Sequence, residues 1–257
     1  MKTAKIIMIV AAVTLFAACT KDYGSLETRT YTLTTSYKAL SISNAFDVVM
    51  SDTATVATIT MPERLYEKLV FSVVNGTLRI GLKPGINYVG DNEMRVILPV
   101  NTDINDVDVS GASSFTSPQT IVATDMDIDV SGASFFKCSV QATNVELDIS
   151  GASTYNGDIE ATTIDADISG SSTVTVGGTA DIMDIDVSGA STLAATKLAA
   201  GQVTGDVSGA SNVNVTVCQK LELNVSGSSN VTYGKSDESC AILLRCSTTG
   251  SSTVTER

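Results

Sequence analysis

The chain has 257 residues, 43 % of them hydrophobic, which is enough for one large or two modest domains with a core, and its formal net charge is -12. Twenty-eight acids against sixteen Lys and Arg, with no basic cluster, argue against nucleic acid as a partner because phosphate backbones repel such a surface. Without a single His there is no Ser-His-Asp arrangement.

The first nineteen residues, "MKTAKIIMIVAAVTLFAAC", carry Lys2 and Lys5, an apolar run from Ile6 to Phe16 and then small residues. That run is short for a membrane span and reads as an export signal over residues 1–19. "LFAAC" resembles the lipobox of bacterial lipoproteins, with Phe16 where Leu is usual. The resemblance implies cleavage before Cys19 and a lipid on Cys19 that anchors the protein to the membrane, in the outer membrane of the cell envelope. Residues 20–35 are polar and predict a tether.

Residues 36–100 alternate apolar and polar side chains in "LSISNAF", "DVVMSD" and "VATITMP", which predicts strands. "PERLYEKL" predicts one short helical turn starting at Pro62. In "LVFSVVNGTLRIGL", Asn75-Gly76 between two β-rich runs is a strong hairpin signal.

From residue 101 to 257 one phrase recurs: an acid, an aliphatic, Asp, an aliphatic, Ser, Gly, a small residue, Ser. Its glycines are Gly111, Gly132, Gly151, Gly170, Gly189, Gly209, Gly227 and Gly250, spaced 21, 19, 19, 19, 20, 18 and 23 residues apart. A period near twenty marks stacked units too small to bury an apolar face alone. Two residues before each glycine stand Val109, Val130, Ile149, Ile168, Val187, Val207, Val225 and Thr248. Four after stand Phe115, Phe136, Tyr155, Val174, Leu193, Val213, Val231 and Val254. These are inward columns of an all-β fold, a parallel β-helix (β-solenoid) of about 20-residue coils, capped by the N-terminal β-rich section. Its hand is expected to be right-handed, as in nearly all parallel crossovers. The glycine supplies a corner of positive φ or a close approach of rungs. The serine two residues on, Ser113 to Ser252 in all eight repeats, predicts a ladder of hydroxyls bonded to one another.

Four further cysteines follow: Cys138, Cys218, Cys240 and Cys246. Export permits disulfides, but the even count does not prove them. Extended backbone across "CAILLRC" holds Cys240 and Cys246 about 20 Å apart, against a bridge between those two. Cys246 falls in the column of Val107, Ile128, Leu147 and Ile185 and reads as a small buried hydrophobe.

The phrases "DVSGASSF", "DVSGASFF", "DISGASTY", "DISGSSTV", "DVSGASTL" and "DVSGASNV", preceded by "ISNAFDVVMSD" and the "NGTLRI" hairpin, resemble the head GIN domain family of bacterial auto-transporter adhesins over residues 36–254. The family's motif often has a second glycine where this chain has Ser or Ala. The resemblance implies an envelope location and a β-solenoid, and it lends no catalytic residues.

Two columns of acids alternate with the inward aliphatics. One holds Asp108, Asp129, Asp148, Asp167, Asp186 and Asp206; the other holds Asp106, Asp127, Glu146, Asp165, Asp184 and, after Thr204, Glu222. Stacked in register they form two rows with neighbours about 5 Å apart, each pair disfavoured by roughly 1 kcal/mol even when fully water-screened. Solvation, calcium bridging adjacent rungs, or a basic partner would relieve them, and solvation is the expected answer. Opposed, differently tuned carboxyls, which a glycosidase needs, are not what identical rows offer. A polysaccharide-active β-helix enzyme and an envelope-stress component are the competing functions. An outward row of Thr154, Thr173, Thr192, Asn212 and Asn230 is the candidate surface for glycan or protein ligands. The expected function is a non-catalytic, adhesin-like or structural envelope module. The last coil, ending "STVTER" without an obvious cap, predicts self-association through the solenoid end or protection of that edge by the final charged residues.

Overall fold

The computed structural model describes residues 23–86, 88 and 94–257, so the export segment and Cys19 lie outside the described residues. The N-terminal section contains β1 (Leu26–Tyr31), β2 (Ala39–Ile42), β3 (Phe46–Ser51), β4 (Ala57–Pro62), a 3-10 turn (Glu63–Lys68), β5 (Leu69–Val74), β6 (Thr77–Leu82) and β7 (Met94–Pro99). The repeats begin with short strands: β8 (Asp106–Val109), β9 (Ser114–Thr116), β10 (Ile121–Val122), β11 (Asp125–Val130) and β12 (Phe135–Lys137). Longer ones follow: β13 (Val140–Ile149), β14 (Thr154–Ile168), β15 (Thr173–Val187), β16 (Thr192–Val207) and β17 (Asn212–Val225). The stack closes with β18 (Asn230–Lys235), β19 (Leu243–Thr248) and β20 (Thr253–Glu256). No helix among the described residues is long and apolar enough to cross a membrane.

The repeats stack as parallel rungs, so the period of the phrase is the length of one coil. Ile80, Ile42, Val109, Val130, Ile149, Ile168, Val187, Val207, Val225 and Thr248 form one column through ten rungs. Nine steps at about 4.8 Å make a stack roughly 43 Å long. A second inward column passes through Val48, Phe115, Phe136, Tyr155, Val174, Leu193, Val213, Val231 and Val254. From Val48 to Val231 every member of this column is at most 1 % exposed, as dense packing of a narrow core requires. Phe136 sits between Phe115 and Tyr155 with ring centroids 5.2 and 5.4 Å away.

Stack order departs from chain order at the start. β2 lies between β6 and β8, and β3 between β7 and β9, all in parallel. The N-terminal section thus supplies two rungs of the solenoid, and the cap proper is the antiparallel material outside them: β5 on β6, and β4 with β1 on β7. The expected hairpin turn is present, with Asn75 and Gly76 at φ 53° and 83°, and the expected helical turn follows Pro62. The tether over residues 20–35 needs correction. Leu26–Tyr31 is an antiparallel strand on β4, with Thr28 Oγ1 2.8 Å from Thr60 Oγ1 and the Arg29 guanidinium 3.9 Å from the Tyr66 ring centre. "LETRTY" reads as polar because an edge strand keeps most of its side chains in water.

All eight corner glycines have φ between 76° and 81°. At Gly132, Gly151, Gly170, Gly189, Gly209 and Gly227 an added Cβ would also lie 2.3 Å from the carbonyl oxygen of the glycine one rung below. Both reasons for glycine therefore hold at once. The corner serines do not form the expected ladder. Ser134 Oγ and Ser211 Oγ donate instead to the carbonyls three residues back, Ser131 O at 2.7 Å and Ser208 O at 2.9 Å. Ser134 N donates to Ser153 Oγ at 3.3 Å, while Ser113, Ser172 and Ser191 Oγ find no partner. The corner turns its own carbonyl toward the hydroxyl, which leaves serine mainly as a small side chain that fits a fully buried bend.

At the far end, Cys218 is bonded to Cys240 with their Cα atoms 4.8 Å apart, fastening the 236–242 loop to the rung below. The Arg257 guanidinium donates to Thr216 Oγ1. The last rung stays partly open: Leu243 and Leu244 are half exposed, and Cys246 is partly buried in its predicted column above Leu223.

Candidate functional site

Each turn of the coil sends alternate side chains outward, so one residue type repeated at one position becomes a row. The strand before the corner carries the acids. Asp106, Asp127, Glu146, Asp165 and Asp184 are register neighbours, continued by Thr204, Glu222 and Arg245. Asp108, Asp129, Asp148, Asp167, Asp186 and Asp206 form the row beside it, from Ser41 at one end to Asn224 at the other.

The rows feel both burial and each other. Burial first, then the neighbouring Asp129 and Asp167 carboxylates, raises Asp148; burial and then Asp184 raises Asp165. Asp106 and Asp129 are raised in the same way, by burial and then by Asp127 and Asp108 respectively. For Glu146 the Asp127 charge is the leading cause. Burial also raises Asp108, opposed by the Ser41 hydroxyl, which donates to it at 3.3 Å. Local relief exists at the far end, where Thr204 Oγ1 donates to Asp184 at 3.0 Å and Lys220 pairs with Glu222 at 2.5 Å. The carboxylates run side by side on one face. Among the described residues no three His, Cys, Asp or Glu side chains are placed to hold one metal ion. Nor do these two rows face each other across a cleft, the arrangement that glycoside hydrolysis uses.

The strand after the corner carries a different surface. Thr154, Thr173, Thr192, Asn212 and Asn230 are brought into one row and extended by Thr253, as the sequence predicts. Thr154 and Thr192 are half-buried and the others exposed. Asn230 Nδ2 donates to Asn212 at 3.5 Å, and Thr253 Oγ1 donates to Asn230 at 2.8 Å. Sequence reasoning missed a second row two residues on, in which Thr116, Lys137, Asn156, Thr175, Ala194, Asn214, Thr232 and Thr255 are register neighbours. The strand period of two already contained that signal.

It also missed Phe135, which stands in the first row between Ser114 and Thr154. Two residues along the same face, Lys137 enters the lining of a cleft of about 320 Å³, with Ser117, Pro118, Cys138, Ser139, Asn156, Gly157 and Asp158. Cys138 is buried there, its thiol pushed up to about 11 chiefly by that burial.

Solved structures share this architecture. A "putative adhesin" from Parabacteroides merdae superposes with a TM-score of 0.81 at 18 % identity, covering 91 % of this chain and 97 % of that one. A "putative adhesin" from Parabacteroides distasonis gives 0.79 at 22 % identity over 92 % and 98 %. A "Putative lipid binding protein" from the same species gives 0.74 at 20 % identity over 91 % and 97 %. At these identities the likeness shows the fold, a β-solenoid whose repeats make about eight turns with coils near nineteen residues, stacked on the two N-terminal rungs. A search of curated proteins finds no match. Residues 36–236, from the rung of β2 and β3 to the end of β18, match the family described as "Putative auto-transporter adhesin, head GIN domain", and the chain belongs to that family.

Proposed function

We infer that the chain is a non-catalytic adhesive module of the cell envelope, anchored through a lipid on Cys19, that holds a glycan along its Thr and Asn rows. The observation that carries this reading is the double row itself. From Thr154 to Thr255 it offers hydroxyls and amides at almost every rung, without a charged side chain, on a face half open to water. Hydroxyl and amide groups both donate and accept, as sugar hydroxyls do. Repetition along one axis lets weak contacts add once the first has formed.

The Cys218 to Cys240 disulfide supports an oxidising compartment and so supports export. The acidic rows complement this role by keeping rods from pairing through their flat faces.

The test is binding of the chain to an array of oligosaccharides, compared with Asn212→Lys/Asn230→Lys, which places two long cations in the row. Loss of binding at unchanged melting temperature is the expected result. Release of reducing ends from any polysaccharide by the purified chain would overturn the non-catalytic reading. Labelling with a radioactive fatty acid in cells, lost in Cys19→Ala, tests the anchor.

A further inference from the structure

Seven of the eight repeats place Ser, Thr or Asn three residues after the corner glycine; the eighth places Phe135 there. Its ring is not needed inside, because the next residue, Phe136, already fills the core between Phe115 and Tyr155. Phe135 points outward with 36 % of its surface exposed, in register with Ser114 and Thr154. An aromatic face set into a row of hydroxyls and amides is a flat apolar platform surrounded by hydrogen-bonding groups.

The cleft beside it has a structural cause. β12 ends at Lys137; the rung below is broken at Ser117 and Pro118, and Cys138 and Ser139 fall between strands, whereas β14 runs straight past the same corner. Gly157 lets the two rungs approach closely at this edge, since a Cβ there would run into the Cys138 carbonyl oxygen. The opening is about 320 Å³, at the lower end of the range for small-molecule sites. Its walls offer an ammonium at Lys137, an amide at Asn156, a carboxylate at Asp158 and hydroxyls at Ser117 and Ser139. One cation and one anion leave the lining without net charge.

We propose that Phe135 and this cleft form a subsite for a neutral saccharide, the apolar face of one ring on Phe135 and the hydroxyls of the adjoining ring toward Lys137, Asn156 and Asp158. This rests on the reading of the Thr and Asn rows as a glycan surface and adds the place where the ligand is fixed. Register makes the two continuous: Phe135 adjoins Thr154 and Lys137 adjoins Asn156. A linear saccharide laid along the rows would therefore have a ring on Phe135.

The experiment uses cello-, manno- and chito-oligosaccharides, with uronate oligomers as the charged comparison. Wild type is measured beside Phe135→Ser, Phe135→Tyr, Asp158→Asn and Asn212→Lys/Asn230→Lys, with melting temperatures to confirm folding. At least one neutral oligomer is expected to bind, with a tenfold or greater loss in Phe135→Ser, a several-fold loss in Asp158→Asn and recovery in Phe135→Tyr. The phenylalanine ring resonance missing from the spectrum of Phe135→Ser is expected to shift on titration of wild type. Unchanged affinity in Phe135→Ser with loss in Asn212→Lys/Asn230→Lys overturns the subsite and leaves the glycan surface standing. Binding confined to uronates overturns the neutral assignment. No binding of any oligosaccharide by wild type overturns both.

Discussion

The corner glycines allow a calculation that separates backbone conformation from crowding. Gly76 and Gly151 both have positive φ, 83° and 78°, but an alanine Cβ would meet nothing within 4 Å at Gly76 and the Gly132 oxygen at 2.3 Å at Gly151. Gly76→Ala adds only the left-handed penalty of an L-residue, roughly 1 to 2 kcal/mol. Gly151→Ala adds the same penalty and must also push Gly132 O away by about 1 Å to reach ordinary contact. That oxygen accepts from Ala152 N at 2.7 Å, so the push stretches the bond past the range in which it counts as one. A buried rung bond lost, with its groups left unpaired, costs about 1 to 3 kcal/mol more. The expected totals are roughly 1 to 2 kcal/mol for Gly76→Ala and 2 to 5 kcal/mol for Gly151→Ala. At about 2 to 4 °C per kcal/mol for a chain of this size, the second variant melts on the order of 10 °C below wild type. Thermal melting followed by circular dichroism measures both. Gly111→Ala serves as an intermediate, because its Cβ would meet Asn44 N at 3.3 Å. Equal losses in Gly76→Ala and Gly151→Ala would refute the close-approach argument and leave conformation alone as the reason for glycine.

Four other outcomes are expected. Carboxyls whose folded pKa is raised bind more protons in the folded chain, so their effect on stability improves as pH falls toward the ordinary value of 3.8 to 4.5. As pH falls from 7 toward that ordinary value the melting temperature should therefore rise, and Asp129→Asn/Asp148→Asn should raise it at pH 7 and flatten the slope; a fall over that interval contradicts the assignment. The lowered carboxyls, Glu27, Glu222 and Asp237, act only below that window. Because the rows do not converge on a metal, millimolar calcium is expected to raise the midpoint no more than magnesium at equal ionic strength, and a calcium-specific rise reversed by Asp148→Asn/Asp167→Asn would show otherwise. Reduction, or Cys218→Ser/Cys240→Ser, opens a loop spanning 22 residues and is expected to cost about 3 kcal/mol, read as a melting shift with and without reductant. The open edge of β19 and β20 should give concentration-dependent association in sedimentation, weakened by Leu244→Lys; a chain that stays monomeric at high concentration rules this out.

The repetitive part of the fold was legible because period and register are the same quantity once the rungs stack. Val109 and Val130, or Asp148 and Asp167, had to be neighbours as soon as the coil length was known. The hairpin at Asn75-Gly76 was legible for a local reason, the demand for positive φ. What stayed hidden lacked either signal. The rung of β2 and β3 turns its corner with Asn44 and Ala45 at φ 65° and 64°, without glycine, so its place in the stack beside β8 could not be read from the phrase. β1 reads as tether because edge pairing does not require an apolar face. The serine ladder failed because Ser134, Ser211 and Ser252 turn their hydroxyls to a carbonyl of their own corner, and Ser113, Ser172 and Ser191 find no partner. The disulfide was within reach, since 22 residues is close to one coil and places Cys218 and Cys240 on adjacent rungs. Phe135 was visible as the single aromatic in a polar row, but only the cleft beside it makes the exception meaningful.

The order of the first rungs has a consequence for how such a chain changes length. The antiparallel strands close one end on β6 and β7, β2 and β3 lie on those, and β8 is laid on the free side of β2 as the first of a series of near-identical additions. Every later coil pairs its strands only with the one before and the one after. Duplicating a segment such as residues 152–170 would insert a rung while leaving both ends and every existing contact type unchanged. The length of the rod is thus a quantity that gene duplication can adjust in steps of one coil, independently of the start that fixes the rod and of the side chains that any one rung displays.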